Sequence, residues 1–274
     1  MNDFFDLSGN VTVITGGAGF LGTGYAQAIA AYGGIPVILD LHGEKIAPIV
    51  DSLKKEYHVD ASGYVVDITE EDNVAATSGQ IVRKYGRVDV LINNAANNPR
   101  VDTSGVLEST TRLENFPLQQ WHQDIAVGLT GAFLCAKYFG LLMAERGSGV
   151  IINVSSDLGV IAPDQRLYRT DGLSEEEQNV KPVTYSVVKT GLIGLTRYLA
   201  TYWAEKGVRC NAICPGGVFN GQGEPFLSRV NSLIPLGRMA NLEELQGAII
   251  FLASCASSYM NGAVLIVDGG RSCW

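Results

Sequence analysis

The chain has 274 residues, of which 46% are hydrophobic and 18% are charged, so it carries enough apolar material for a folded core and too little charge for a disordered protein. Its 28 acidic and 20 basic residues give a formal net charge of −8, which disfavours binding to nucleic acid or to an anionic membrane, because both require a basic face. The five cysteines are widely spaced without a CxxC pair, and there are only three histidines. We therefore predict no metal site and reduced thiols in a cytoplasmic protein.

Short runs with few charges alternate with helical patterns along the chain. We predict strands at Val11–Thr15, Pro36–Leu39, Gly63–Val66, Val88–Ile92, Val150–Val154, Val208–Ile213 and Ala263–Val267. Apolar residues at helical spacing lie between them, as from Leu21 to Tyr32 and from Leu192 to Trp203. This alternation predicts an α/β fold, a doubly wound, seven-stranded parallel sheet with helices on both faces. Because the strands use nearly the whole sequence, we predict a single domain over residues 1–274.

Neither a signal peptide nor a membrane span is expected. The N-terminal sequence MNDFFDLSGN lacks the basic and apolar regions of a signal peptide. We also expect no apolar run to reach the roughly 18 residues that cross a bilayer.

Two long stretches interrupt the alternation, residues 97–120 after the fourth strand and residues 159–182 after the fifth. Loops that follow parallel strands emerge at the carboxyl edge of the sheet, where ligands bind, so we expect both to be active-site loops. Within them we select Arg100 and Arg166 as candidate contacts to a phosphate or carboxylate of an anionic substrate. The alternative is that these cations pair with neighbouring acids at the surface.

The first strand runs directly into the glycine-rich turn TGGAGFLG, residues 15–22, which opens a helix. Such a turn lets the backbone approach a pyrophosphate and offers N–H groups at a helix N-terminus. Its candidate cofactor contacts are Gly16, Gly19, Phe20, Leu21 and Gly22. Carboxylates end the next two strands, and there we select Asp40 with Leu41 and Asp67 with Ile68. Asp40 stands where a ribose-binding carboxylate is expected, which favours NAD as the cofactor.

A serine, a tyrosine and a lysine form the candidate catalytic group. The fifth strand ends in two serines, Ser155 and Ser156, and Tyr185 and Lys189 lie one helical turn apart on one face of a later helix. The pKa of a tyrosine phenol is about 10 without perturbation. A neighbouring ammonium lowers that pKa, so the tyrosine could exchange a proton with a substrate oxygen near neutral pH. A Tyr–Lys pair at this spacing is also common on ordinary helix surfaces.

Six motifs follow one another along the chain: TGGAGFLG, NNAA (93–96), VSSDLG (154–159), YSVVK (185–189), NAICPGG (211–217) and VDGG (267–270). In this order they closely resemble the compact branch of the short-chain dehydrogenase/reductase family, over essentially the whole chain. The resemblance implies a Rossmann-type sheet, a nicotinamide cofactor and hydride transfer. It implies that Ser156 orients the substrate, that Tyr185 is the general acid/base, and that Lys189 lowers the pKa of Tyr185 and holds the nicotinamide ribose. It further implies that Asn93 and Ala95 line the adenosine side, and that Pro215, Gly216 and Val218 pack on the nicotinamide.

Several positions depart from this family's usual pattern. The turn reads TGxxGxxG, a form that resembles the longer, extended branch. Gly128 stands where the family usually has an asparagine that holds a water leading to the lysine, and Asn220 replaces a common threonine near the carboxamide. The residues between Ser156 and Tyr185 are also more numerous than usual.

We therefore expect an NAD(H)-dependent oxidoreductase that interconverts a secondary alcohol and a ketone, with a sugar or sugar derivative as its substrate. Phrases in the two loops are similar to oxidoreductases of bacterial flagellin or surface-glycan sugar modification. Two alternatives stay open: a sugar-nucleotide epimerase or dehydratase with tightly bound NAD, and a catalytically silent NAD-binding member. From the resemblance and the apolar C-terminal strand we expect a homo-oligomer, a tetramer or a dimer.

Overall fold

The computed structural model describes residues 4–98, 101 and 112–274. Seven parallel strands form one sheet in the order β3-β2-β1-β4-β5-β6-β7. They are β1 (Val11–Thr15), β2 (Ile35–Asp40), β3 (Ser62–Val65), β4 (Val90–Asn93), β5 (Gly149–Val154), β6 (Val208–Pro215) and β7 (Val264–Val267). The predicted doubly wound parallel sheet is confirmed, and the predicted strand ends shift by at most two residues.

Helices cover both faces of the sheet. They are α1 (Phe20–Ala31), α2 (Gly43–Tyr57), α3 (Glu71–Tyr85), α4 (Leu118–Arg146), α5 (Val183–Tyr202), α6 (Phe226–Ser232) and α7 (Glu243–Ala253). Alternate strand residues face opposite layers, so that Ile14 of β1 packs with α1, α2 and α7, whereas Val13 packs with α3, α4 and α5. Both faces of the inner strands are therefore buried, as their lack of charge predicts, whereas the edge strands β3 and β7 are partly exposed.

The ligand crevice follows from the strand order. The chain moves outward from β1 to β2 and β3 and then returns to the other side of β1 at β4. The loops after β1 and β4 consequently diverge, and they leave an opening at the carboxyl ends of the strands. The turn after β1 and the residues after β4 and β5 meet at this opening.

The structure describes one of the two predicted loops completely and the other in part. Residues 159–182 are folded, with single 3₁₀ turns at Gln165–Tyr168 and Glu175–Glu177. Leu167 and Tyr168 pack against α6 in a small apolar cluster, with the rings of Tyr168 and Phe226 5.9 Å apart. Of residues 97–120, the last three belong to α4, which begins at Leu118. Arg100 lies outside the described residues.

Helix α4 corrects the expectation that no segment is long and apolar enough for a membrane. By length and composition alone, its 29 residues could cross a bilayer. In the fold, its buried residues Phe139 and Met143 pack between the sheet and neighbouring helices. A core helix of a globular protein passes the same test of length and composition, because it too is rich in apolar side chains.

Candidate active site

A cleft of about 500 Å³ lies over the carboxyl ends of the strands. Its walls are the glycine-rich turn, the ends of β2 and β5, the residues after β4 and β6, the start of α5 and the 159–182 loop. All three candidate catalytic residues, Ser156, Tyr185 and Lys189, line it. The fold therefore brings the two halves of the predicted site to one opening.

The glycine-rich turn holds its shape because side chains would not fit in it. Gly16 has φ +59°, and a Cβ there would lie 2.9 Å from the Cα of Ala95. A Cβ on Gly22 would lie 2.3 Å from the carbonyl oxygen of Gly16, so Gly22 supports the turn from beneath rather than lining the cleft. Gly16, Gly19, Phe20 and Leu21 do line it. This cradle, at the N-terminus of α1, fits a pyrophosphate.

Two carboxylates stand at the same end of the cleft. Asp40 accepts hydrogen bonds from the backbone N–H groups of Ala18 (3.0 Å) and His42 (3.1 Å), which fixes its carboxylate beside the turn. Asp67 accepts hydrogen bonds from the backbone N–H (2.9 Å) and the hydroxyl (2.7 Å) of Thr69. Both line the cleft, together with Leu41 and Ile68. A carboxylate held in this way beside a glycine-rich turn suits the ribose hydroxyls of a dinucleotide.

The structure corrects the placement of Asn93. Its side chain is buried, and its Nδ2 donates to Oδ1 of Asn153 at 2.9 Å, which joins β4 to β5 beneath the cleft. Asn94 lines the cleft instead, and its Nδ2 donates to the carbonyl oxygens of Thr15 (3.0 Å) and Gly16 (3.1 Å). Strand β4 runs through Asn93, so successive side chains point to opposite sides. Ala95 lies in the cleft wall as expected.

The nicotinamide side of the cleft is formed by the end of β6. Pro215, Gly216 and Val218 line it, and so does Asn220. A Cβ on Gly216 would lie 2.8 Å from the Cα of Asp268, so the chain approaches the segment after β7 closely here. Pro215 and Val218 give this wall apolar side chains, which suit contact with the face of an aromatic ring.

The side chains of Ser156 and Tyr185 both line the cleft. Ser156 Oγ donates to Oδ1 of Asp157 at 2.8 Å and accepts from the backbone N–H of Leu158 at 3.1 Å. Burial raises the pKa of Tyr185 to about 12, and its hydrogen bond with Ser156 acts in the opposite direction. At a pKa of about 12, Tyr185 is protonated at neutral pH.

Lys189 lies on the same helical face as Tyr185. Its Nζ donates to the carbonyl oxygen of Val154 at 2.8 Å and lies 5.7 Å from the centre of the Tyr185 ring. Burial lowers the pKa of Lys189 to about 8. The ammonium is thus held between the end of β5 and the tyrosine, a position from which it can favour the phenolate.

A second ammonium, which the resemblance did not assign to the site, lies closer to the tyrosine ring. Lys181 Nζ is 3.9 Å from the centre of the Tyr185 ring and donates to Oδ1 of Asn98 at 2.7 Å. Its backbone N–H donates to Oε1 of Gln165 at 2.8 Å, so the 159–182 loop sets its position. The sequence offered one signal, a lysine close to Tyr185 in the chain, although Lys181 lies in the loop before α5 and not on the helix itself.

A buried ion pair, Arg271 with Asp157, lies beside Ser156. Arg271 Nη1 donates to Oδ2 of Asp157 at 2.9 Å, and their side chains are 8% and 4% exposed. Asp157 Oδ1 accepts the Ser156 hydroxyl, so the C-terminal segment is linked to Ser156 through one carboxylate. Sequence reasoning missed Arg271, because no local pattern pairs it with Asp157, which lies 114 residues away in the chain.

Arg166 does not face the cleft. Its guanidinium makes a two-pronged pair with Asp164, with Nε to Oδ1 at 2.9 Å and Nη2 to Oδ2 at 2.6 Å, and its side chain is 79% exposed. Arg169 similarly pairs with Glu175. For these two residues the alternative, pairing with local acids, describes what the structure shows. Among the described residues, the lysines and arginines that line the cleft are Lys181, Lys189 and Arg271.

Gly128 lies where α4 touches α5. A Cβ at this position would lie 2.4 Å from Cγ1 of Val188, so the two helices leave no room for an asparagine there. A small cavity beside it is lined by Asp124, Tyr185 and Lys189, among others. Asp124 is buried and accepts hydrogen bonds from Thr184, Gln120 and Asn97. Across the described residues, no group of three or more histidines, cysteines or acids could hold a metal ion.

A dinucleotide cradle and a proton-transfer group in one cleft of a doubly wound sheet define a nucleotide-dependent oxidoreductase. The model of a family described as enoyl-(acyl carrier protein) reductase matches residues 17–272. D-threitol dehydrogenase of Mycolicibacterium smegmatis is 31% identical over 271 residues, 97% of this chain and 94% of that protein. The chain belongs to the short-chain dehydrogenase/reductase family, as its motifs indicate.

Two further relatives are similar along nearly their whole length. The NADP-dependent mannitol dehydrogenase of Alternaria alternata is 31% identical over 98% of this chain and 95% of its own. A crystal structure of a gluconate 5-dehydrogenase from Burkholderia cenocepacia J2315, in complex with NADP and tartrate, superposes with a TM-score of 0.85 at 29% identity, over 99% of this chain and 98% of that one. The three names describe oxidoreductases of sugar alcohols or sugar acids.

Proposed function

We propose that this protein is an NAD(H)-dependent oxidoreductase that interconverts a secondary alcohol and a ketone on a small polyhydroxylated, sugar-type molecule. The observation that carries the proposal is the convergence of Ser156, Tyr185 and Lys189 on one cleft whose other end presents Asp40 beside the glycine-rich turn. The polyol and sugar-acid names of the relatives support the substrate class.

Asp40 supports NAD over NADP. A carboxylate at this position can accept hydrogen bonds from ribose hydroxyls and repels a 2′-phosphate. Residues 16–22 and position 41 contain no arginine or lysine that could neutralise the phosphate. Two relatives carry NADP in their descriptions, so Asp40 is the feature on which this part of the proposal depends.

The residues divide the reaction between them. A nicotinamide bound in the cleft supplies or accepts the hydride. Tyr185 gives a proton to the carbonyl oxygen during reduction and takes one from the hydroxyl during oxidation. The hydroxyl of Ser156 hydrogen-bonds to the same substrate oxygen. Lys189 favours the ionised Tyr185, which the oxidation direction needs because burial alone keeps the tyrosine protonated.

Steady-state kinetics with both cofactors tests this function. The purified protein is assayed with NAD⁺ and with NADP⁺ against a panel of alditols, aldonates and simple secondary alcohols. We expect turnover of a polyhydroxylated compound, with a higher kcat/KM for NAD⁺ than for NADP⁺. Equal or better use of NADP⁺ would contradict the NAD assignment, and turnover of simple alcohols alone would contradict the substrate class. A redox-neutral change of a sugar nucleotide, with cofactor retained through purification, would favour the epimerase alternative instead.

We also propose a homo-oligomer, a tetramer or a dimer. Strand β7 forms one edge of the sheet, and Ile266 within it is 42% exposed, while Tyr259 just before it is fully exposed. An apolar sheet edge needs cover, and a symmetric copy of the same chain is a common way to provide it. Sedimentation of a monomer at micromolar concentration would contradict this assembly.

A further inference from the structure

The ammonium of Lys181 is a buried charge in the catalytic half of the cleft, and the reaction described above does not use it. Only 9% of the residue is exposed, and its Nζ lies 3.9 Å over the Tyr185 ring. We propose that Lys181 binds an anionic oxygen group of the substrate, so that the enzyme acts on a polyhydroxylated acid or phosphate rather than on a neutral polyol. This inference rests on the proposed function, because it specifies the substrate of the same site.

Among the described residues, the hydrogen bonding of Lys181 does not compensate its charge. An ammonium carries three N–H donors, and the described partner of this one is the neutral amide oxygen of Asn98, at 2.7 Å. Within the part of the chain that the structure describes, no carboxylate forms an ion pair with Lys181. A buried charge without an opposite charge is costly, so such a position is favourable only when a ligand brings the anion.

The neighbouring charges make the same end of the cleft electropositive. Lys189 and Arg271 line it as well, and the carboxylate beside them, Asp157, already pairs with Arg271 at 2.9 Å and accepts the Ser156 hydroxyl. Burial, and then repulsion from Lys189, lower the pKa of Lys181 to about 8. An anion bound there would raise the pKa of Lys181 again, because a negative charge nearby favours the charged ammonium.

The position of Lys181 also fits recognition of the substrate rather than of the cofactor. The cradle for a pyrophosphate is the turn at Gly16–Gly19, whereas Lys181 is fixed by Gln165 of the 159–182 loop and touches the tyrosine that meets the reacting oxygen. The ammonium of a lysine is a point charge without the planar two-pronged geometry of arginine, so it can bind either a carboxylate or a phosphate. The experiment distinguishes a carboxylate ligand from a phosphate ligand.

The test compares three ligands that share a six-carbon polyol skeleton: D-glucitol, D-gluconate and D-glucitol 6-phosphate. Their binding to the enzyme–NADH complex is measured by the change in NADH fluorescence, and their kcat/KM is measured with NAD⁺. The variants are Lys181→Met, Lys181→Arg, and Arg166→Met as a matched control that removes an exposed cation outside the cleft. Thermal melting without ligand reports whether each variant is folded.

We expect wild type to bind one of the two anions at least about tenfold more tightly than D-glucitol, since a hydrogen bond to a charged group contributes about 1.5–3 kcal/mol. Lys181→Met should lose that preference, with a change of less than about threefold for D-glucitol, while Lys181→Arg retains most of it. Arg166→Met should match wild type for all three ligands. Lys181→Met should melt no lower than wild type, because it removes an uncompensated buried charge.

Three results would overturn the inference. The first is that wild type binds neither anion better than D-glucitol. The second is that Lys181→Met loses affinity equally for charged and neutral ligands while its activity profile moves to higher pH. That result would assign Lys181 to the ionisation of Tyr185, together with Lys189, in a cleft that Ser156, Asp157, Tyr168 and Arg271 also line. The third is that Lys181→Met melts well below wild type while Lys181→Arg does not, which would make the charge structural. Absence of turnover with every ligand contradicts the proposed function instead, because the fluorescence titration still reports on the anion.

Discussion

The two ends of the cleft are built in opposite ways. At the glycine-rich end, Asp40 and Asp67 are partly exposed, and each is held by a backbone N–H group two residues further along the chain; Asp40 also accepts from the N–H of Ala18 in the turn. At the catalytic end, Lys181, Lys189 and Arg271 are buried cations brought together from a loop, a helix and the C-terminal segment. An exposed carboxylate is suited to neutral hydroxyls, which need hydrogen bonds, whereas buried cations are suited to proton transfer and to anions, which need charge in a weakly screened environment.

The largest effect is expected from removing the proton donor at the catalytic end. Tyr185→Phe keeps the ring but loses the hydroxyl, so kcat should fall by about 10²–10⁴-fold, the usual contribution of general acid–base catalysis. NAD⁺ affinity, measured by titration, should stay close to that of wild type, because Asp40 and the turn at Gly16–Leu21 are untouched. A variant that retained more than about a tenth of wild-type kcat would remove Tyr185 from the mechanism.

Removing Arg271 tests how strongly its buried ion pair with Asp157 stabilises the catalytic end of the cleft. Arg271→Met leaves Asp157 buried and unpaired, so the free energy of unfolding should fall by about 3–5 kcal/mol. The double variant Arg271→Met/Asp157→Asn should recover part of that loss, since it removes the buried carboxylate that Arg271→Met leaves without its partner. Urea denaturation measures both. Arg166→Met is the control, because its exposed pair with Asp164 should contribute less than about 1 kcal/mol. Equal losses for Arg271→Met and Arg166→Met would contradict this difference.

At the other end, Asp40→Asn tests the carboxylate itself. Loss of hydrogen bonds to a charged group costs about 1.5–3 kcal/mol, so kcat/KM for NAD⁺ should fall by about ten- to a hundredfold. The value for NADP⁺ should rise relative to it, because the repulsion of a 2′-phosphate is removed. Asp51→Asn on the exposed side of α2 is the charge-matched control and should change neither value. An unchanged NAD⁺/NADP⁺ ratio in Asp40→Asn would show that selectivity resides elsewhere.

The smallest effect is expected behind the catalytic residues, at the contact of α4 with α5. Gly128→Ala places a methyl group 2.4 Å from Val188 Cγ1. Overpacking costs about 1–3 kcal/mol, and the better helix propensity of alanine offsets about 1 kcal/mol of it. The second substitution Val188→Ala should relieve the clash, so a double-mutant cycle by urea denaturation should show a favourable coupling of at least about 0.5 kcal/mol. Additive effects would mean that the helices separate without cost.

The candidate site was predicted best where its residues are close in the sequence. The turn at residues 15–22 and the Tyr185–Lys189 pair are local patterns with a direct geometric meaning, namely a strand-to-helix turn and one turn of a helix. Asn93 and Asn94 show the limit of such patterns. Both follow an apolar run, and only the point at which β4 ends decides which of them faces the cleft.

The sequence by itself determined the fold class and the order of the elements, because buried parallel strands leave apolar runs and amphipathic helices leave periodic patterns of apolar residues, and neither depends on distant contacts. Its motifs indicated the family by resemblance. The tertiary structure decided which charges meet. It pairs Arg166 with Asp164, two residues away, and it pairs Arg271 with Asp157, 114 residues away. It also packs Val188 of α5 against Gly128 of α4, so that no side chain fits at position 128. Such contacts depend on where the sheet and the loops bring the chain in space, since a charge has no periodicity from which its partner can be inferred.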